Sequence, residues 1–213
     1  MLKTSSLISC VMLSAALLAA GAHAQSSTRI GGCDIRRGTL CPNLNLNGAE
    51  LAGVNLANSQ FTRSNLSGAN LRGANLSEAN FSQTDLQGAD LTEALLVRTN
   101  LRGARLGEAR LEGADLRNAV LQNADLHGTD LSKAKLAGAD LTNARMEGAR
   151  LTDADLQRSN LRAAKLKGAS FVGANLQGAD FTRAVLVNAD LSGANLDQAI
   201  FLNAQTEGCI GCP

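Results

Sequence analysis

The chain has 213 residues, 45% of them hydrophobic but only 2% aromatic, with no Trp and no Tyr. Such a composition excludes a broad globular core built on large rings and suits a narrow one filled by Leu and Ala. With 20 basic and 19 acidic residues the chain is close to neutral, so nothing in its overall charge favours a nucleic acid or an acidic membrane surface as partner.

The first 24 residues carry Lys3, an apolar stretch from Leu7 to Ala20, and Ala22-His23-Ala24 ahead of Gln25. These are the three parts of a secretory signal peptide, here cut after Ala24, and they predict a periplasmic or secreted product. The apolar run is shorter than the about 20 residues that a membrane-spanning helix needs. Leu7-Ile8-Ser9-Cys10 looks like a lipoprotein cleavage box but precedes most of the apolar stretch, so no lipid anchor is expected at Cys10. The mature chain then divides into an N-terminal cap over 25–45 with Cys33 and Cys41, a repeat region over 46–203, and a C-terminal cap over 204–213 with Cys209 and Cys212.

In the repeat region an apolar residue recurs at every fifth position from Leu46 to Phe201, 32 sites holding 26 Leu, five Phe and Met146. Two positions earlier 24 of the 32 sites hold Ala, the exceptions being Leu44, Val54, Ser59, Ser64, Thr84, Thr99, Thr129 and Ser159. The site just before the centre is Asn or Asp in 19 cases, and Gly fills the second site after it in 14. A period of five fits neither the about 3.6 residues of a helical turn nor the two-residue alternation of a strand, so the chain must turn once per repeat to keep these leucines together. The centre and the small residue before it then point inward, and coils stack at the sheet spacing of about 4.8 Å.

Runs such as Ala69-Asn70-Leu71, Ala89-Asp90-Leu91 and Ala189-Asp190-Leu191 resemble the pentapeptide repeat family, whose signature is Ala-(Asp/Asn)-Leu-x-x. The resemblance covers about three quarters of the chain. It implies an all-β fold, a right-handed quadrilateral β-helix with four pentapeptides per coil. Four per coil places like residues twenty apart, and Phe61, Phe81, Phe181 and Phe201 do share one such column. Stacking is expected for 61 on 81 and for 181 on 201, with Phe171 standing apart. The 32 repeats make eight coils, a rod about 38 Å long at the sheet spacing.

On such a rod, Cys33 and Cys41 lie before the repeats and Cys209 and Cys212 after them. An exported chain with an even cysteine count favours disulfides, and a bonded pair needs Cα atoms within about 7 Å, which leaves Cys33 with Cys41 and Cys209 with Cys212. Cys209-Ile210-Gly211-Cys212 also has redox spacing, but no helix start follows it to lower a thiol pKa. No metal site is expected, because four ligands cannot converge from opposite ends of a rod.

Charges just before the centre alternate down columns: Asp85, Arg105, Asp125, Arg145; Asp90, Arg110, Asp130, Arg150; and Asp115, Lys135, Asp155. Such ladders neutralise themselves, and the repeats hold 17 acidic and 16 basic residues. Some members of the family bind gyrase, a type II topoisomerase, by mimicking DNA with a strongly negative surface, and the balance here makes that the weaker reading. Two departures are candidate contact patches. Arg158, Arg162, Lys165 and Lys167 form a basic belt around one coil, suited to an anionic envelope component. Val185, Val187, Ile200 and Leu202 put apolar side chains outward on two adjoining faces, suited to a protein partner or to a homodimer.

For catalysis there is little: the single His of the mature chain, His127, sits at an outward site, and carboxylates are spread rather than gathered. No cofactor, no nucleic acid partner and no enzymatic activity are expected. The sequence points to an exported structural or protein-interaction scaffold of unknown partner.

Overall fold

The repeat geometry is set by where five backbone amides can go. In the repeat Leu91 to Leu95 of the computed structural model, which describes residues 28–213, the Leu91 amide donates to the Arg110 carbonyl at 2.7 Å and the Glu93 amide to Glu112 at 2.9 Å, both one coil on. The Ala94 amide closes a turn onto the Leu91 carbonyl at 3.0 Å, and the Leu95 amide reaches back one coil to Ala74 at 2.9 Å. The fifth amide, of Thr92, donates to the Asp90 side chain at 3.0 Å. Each repeat is therefore one short bridge and one tight corner.

The bridges run from Leu40 with Gln60 to Asp190 with Ile210, all parallel and all twenty residues apart. Four repeats thus close one coil of a right-handed quadrilateral β-helix, and the twenty-residue register expected from the Phe column is the register of the backbone. At every corner the second residue after the centre has a positive φ, between 54° and 69° from Gly48 to Asn203. With a hydrogen bond from the fourth residue to the first, this is the φ signature of a type II turn, which explains the Gly preference there.

The core is one continuous column of side chains. Central residues from Leu46 to Leu191 are buried, and so are the Ala positions from Ala69 to Ala189. Where Thr replaces Ala, its hydroxyl donates to a central carbonyl of the preceding coil: Thr84 to Phe61 at 2.8 Å, Thr99 to Leu76 at 2.8 Å and Thr129 to Leu106 at 2.9 Å. Phe61 stacks on Phe81 with ring centres 5.2 Å apart, and Phe181 on Phe201 at 4.9 Å. Phe171 does not stand apart: from the opposite side of the core its ring meets Phe181 edge-on at 5.9 Å.

The two ends differ. At the N-terminal end an antiparallel hairpin, β1 (Thr28–Ile30) and β2 (Cys33–Ile35), lays Cys33 and Ile35 over the core, where both are buried. A disulfide joins Cys33 to Cys41, with Cα atoms 6.0 Å apart. At the C-terminal end another joins Cys209 to Cys212, with Cα atoms 5.8 Å apart, but Leu196, Phe201 and Ala204 of the last coil remain only partly buried. The signal peptide read from residues 1–24 lies outside the described residues.

Two substitutions test this account. The Ser159 hydroxyl is buried without a partner at a site that is Ala in most repeats, so Ser159→Ala is expected to raise the unfolding free energy by about 1 kcal/mol in a denaturant titration. Asn80→Ala, which removes the acceptor of the Ser82 amide at 3.0 Å, is expected to lower it by about 1 kcal/mol in the same measurement.

Candidate functional surfaces

All 19 Asn and Asp residues before a centre accept the amide two residues on, from Asn45 with Asn47 to Asn195 with Asp197. This is an Asx turn, and it caps the one amide per repeat that the coil stack leaves over. The position looks like surface decoration in the sequence. Its first duty is to the corner, and only then do the Asp residues among them take part in charge ladders.

Those ladders close unevenly. Arg105 reaches Asp85 at 2.9 Å, Arg145 reaches Asp125 at 3.5 Å and Arg150 reaches Asp130 at 4.0 Å. In the third column Asp115 is held at 2.6 Å by Arg117 of its own repeat rather than by Lys135. Eight bridged pairs join opposite charges (85/105, 105/125, 125/145, 90/110, 110/130, 130/150, 115/135, 135/155), and one joins like charges, Arg145 with Lys165. Like charges directly opposite repel, so this pair is where the alternation fails.

The basic belt is rearranged accordingly. Arg162 is neutralised by Asp180 at 3.1 Å. Arg158 lies on another face, beside a groove shared with Arg117, Ala137 and Gly138. Lys165 and Lys167 are both exposed and flank Leu166, one coil beyond Arg145 and Glu147. The cation left without an acidic neighbour in its column is thus Lys165, since Arg145 is shared with Asp125 and Lys167 follows Glu147, a grouping that the column positions twenty apart could have revealed.

The apolar patch lies along the C-terminal rim. Val185 and Val187 are half-buried, whereas Ile200 is 49% and Leu202 63% exposed. Ile210, 59% exposed and overlooked in the sequence because it sits beside the cysteines, extends the patch to a third face. His127 is tied to Asp125 at 2.8 Å, and Asp125 also faces Arg145. Shallow grooves run between the charge columns, one of about 230 Å³ bordered by Glu112, Asp130, Lys133 and Arg150. Among the described residues no cluster of three or more His, Cys, Asp or Glu is arranged to hold a metal ion, and no helix is long and apolar enough to cross a membrane.

Seven of the turn-capping carboxylates sit below the usual Asp range. For Asp90, Asp125, Asp130, Asp140 and Asp180, partial burial pushes the pKa up, but the hydrogen bond from the amide two residues on outweighs it, joined by His127 at Asp125, Thr142 at Asp140, Arg162 at Asp180 and by nearby Arg at the others. For Asp115 the Arg117 hydrogen bond is the leading cause, and for Asp190 it is hydrogen bonding from Ser192, whose amide donates at 2.9 Å. The unfolded chain takes up protons first as pH falls, so stability is full above the ordinary Asp value of about 3.9 and is lost below it. Thermal unfolding followed by circular dichroism is expected to be level from pH 7 to pH 5 and to fall steeply under about pH 4. Asp130→Asn, which keeps the turn acceptor, is expected to soften that fall.

Comparison with known proteins agrees with this geometry. A family model for pentapeptide repeats, in 8 copies, matches residues 37–68, 64–103, 74–113, 94–132, 129–168 and 164–203. A trypsin-treated form of QnrB1, a plasmid-mediated fluoroquinolone resistance protein, is 24% identical over 78% of this chain and 84% of its own, with a TM-score of 0.60, a likeness of fold. HetL, a pentapeptide repeat protein involved in heterocyst differentiation regulation in the cyanobacterium Nostoc sp. strain PCC 7120, is 32% identical over 80% of this chain and 88% of its own, with a TM-score of 0.40. A pentapeptide repeat protein of the Arabidopsis thaliana thylakoid lumen is 36% identical over 53% of this chain and 68% of its own, with a TM-score of 0.38. No curated protein matches the chain. On the span of the family model and the unbroken five-residue architecture, the chain belongs to the pentapeptide repeat family.

Proposed function

We propose that the chain is an exported, non-catalytic scaffold, a rigid rod that engages a protein or envelope component through its C-terminal part. The observation that carries this reading is the disposition of charge. Through the middle of the rod opposite charges are bridged to one another, which leaves little unbalanced field to recruit a ligand, while the one like-charge bridge, Arg145 with Lys165, and three of the five exposed large aliphatics lie in its C-terminal half. Among the described residues the core is filled and the surface carries shallow grooves between the charge columns, which favours binding over catalysis. Export is supported by the signal-like first 24 residues and by the two cysteine pairs at bonding geometry, an arrangement that persists in oxidising compartments.

The fold likeness to a fluoroquinolone resistance protein keeps a second reading in view, a DNA mimic acting on a type II topoisomerase. Its electrostatic requirement is a strongly negative surface, and 17 acidic against 16 basic residues over the repeats do not supply one.

The scaffold reading predicts that the protein recovered from the envelope or medium begins at Gln25 on N-terminal sequencing; recovery from the cytoplasm with residues 1–24 attached would count against it. Photo-crosslinkers placed at Lys167 and Leu202 are expected to give adducts in the envelope that a crosslinker at Ser132, on a closed charge ladder, does not. A purified topoisomerase is expected to keep its supercoiling activity at any concentration of the mature protein.

A further inference from the structure

The coil stack ends with its hydrogen bonds unfinished. In the coil before the last, Leu176, Gly178, Phe181 and Arg183 donate their amides to Asn195, Asp197, Ile200 and Leu202. One coil later the amides of Leu196, Gln198, Phe201 and Asn203 have no backbone acceptor among the described residues. The matching half of the pattern is open at the other end. The hairpin lies over the core and beside Asn45, but the carbonyls of Glu50 and Asn55, on the next two sides of the first coil, accept no backbone hydrogen bond among the described residues. The donors free at one end are of the same kind, in the same spacing, as those the free acceptors at the other end would take in any internal coil.

Two further features fall on these ends. Of the five exposed large aliphatics, Leu40 lies at the first coil and Ile200, Leu202 and Ile210 at the last, with only Leu95 in the middle. The charges are complementary: the hairpin and first coil carry Arg29, Arg36 and Arg37 against Asp34 and Glu50, whereas 192–213 carries Asp197 and Glu207 with no base. A partner that satisfies this square edge on more than one side must itself offer sides of five residues at the same spacing, which the first coil of this chain does.

We propose that the rods associate head to tail, the last coil of one copy docking on the first coil and hairpin of the next. This rests on the scaffold reading and names a partner for its C-terminal end, a second copy of the chain. The contact is between unlike surfaces and does not close on itself, so it builds a linear array rather than a dimer. A tail-to-tail pair is disfavoured because it brings Asp197 and Glu207 of both copies together without a compensating base.

Sedimentation velocity of the exported protein over a concentration series tests the proposal. Mass is expected to rise with concentration past two copies. Lys placed on an edge blunts strand pairing, so Leu40→Lys with Asn55→Lys, and separately Ile200→Lys with Leu202→Lys, are each expected to weaken association by at least about tenfold. Mixed together, the two variants are expected to form a one-to-one pair that grows no further. Unchanged thermal unfolding of each variant shows that the effect is not misfolding. A protein that stays monomeric at every concentration overturns the proposal, as does an N-terminal variant that associates as well as the native chain, which would mean tail-to-tail contact. A monomer that still crosslinks to another molecule at Leu202 would sink this inference and leave the scaffold reading standing.

Discussion

Every coil of this molecule depends on finding an acceptor for each of five amides while the chain turns a corner. Four are met by backbone carbonyls, three in neighbouring coils and one within the turn, as in Leu91 to Leu95. The fifth is met by a side chain, and Asn and Asp are the residues best shaped to take it from the position before the centre, as Asp90 does for Thr92. The family signature is thus largely a statement about hydrogen bonding: Ala fits the narrow inside of the corner, Leu fills the core, and Asn or Asp caps what remains. Where Arg, Lys or an aliphatic residue stands instead, the fifth amide receives no such side-chain cap, and the position becomes free for surface chemistry.

That division of labour explains why the charged residues cannot be read as a binding surface by counting them. An Asp such as Asp125 serves its own corner, a histidine two residues on and an arginine one coil away. Its pKa is low because hydrogen bonds outweigh partial burial, not because a ligand site has been prepared. The informative sites are the departures: Arg145 with Lys165, where alternation fails, and the last coil, where Ile200, Leu202 and Ile210 face solvent.

Much of the fold was legible in the sequence because the pattern repeats at two scales, five residues and twenty. Leucines, alanines and the Phe column specify the inside, and the alternating charges repeat the same register outside. Other features escaped because they depend on diagonals and ends rather than on columns. Arg162 meets Asp180, eighteen residues on, across a corner. Arg117 takes Asp115 from within one repeat, and Phe171 reaches Phe181 across the core. The unequal closure of the two ends depends on a hairpin of six paired residues, with Cys33 and Ile35 inward, that carries no repeat at all.

The parallel register at a fixed separation of twenty residues gives the chain an angular clock. Loss or gain of one whole coil would lengthen or shorten the rod and leave every surviving face in phase with the hairpin. Loss or gain of a single pentapeptide would keep the core intact yet swing everything beyond it by a quarter turn, carrying the cationic face and the aliphatic rim to different sides relative to the N-terminal end. Length and orientation are therefore separately adjustable along this scaffold, one in steps of twenty residues and the other in steps of five.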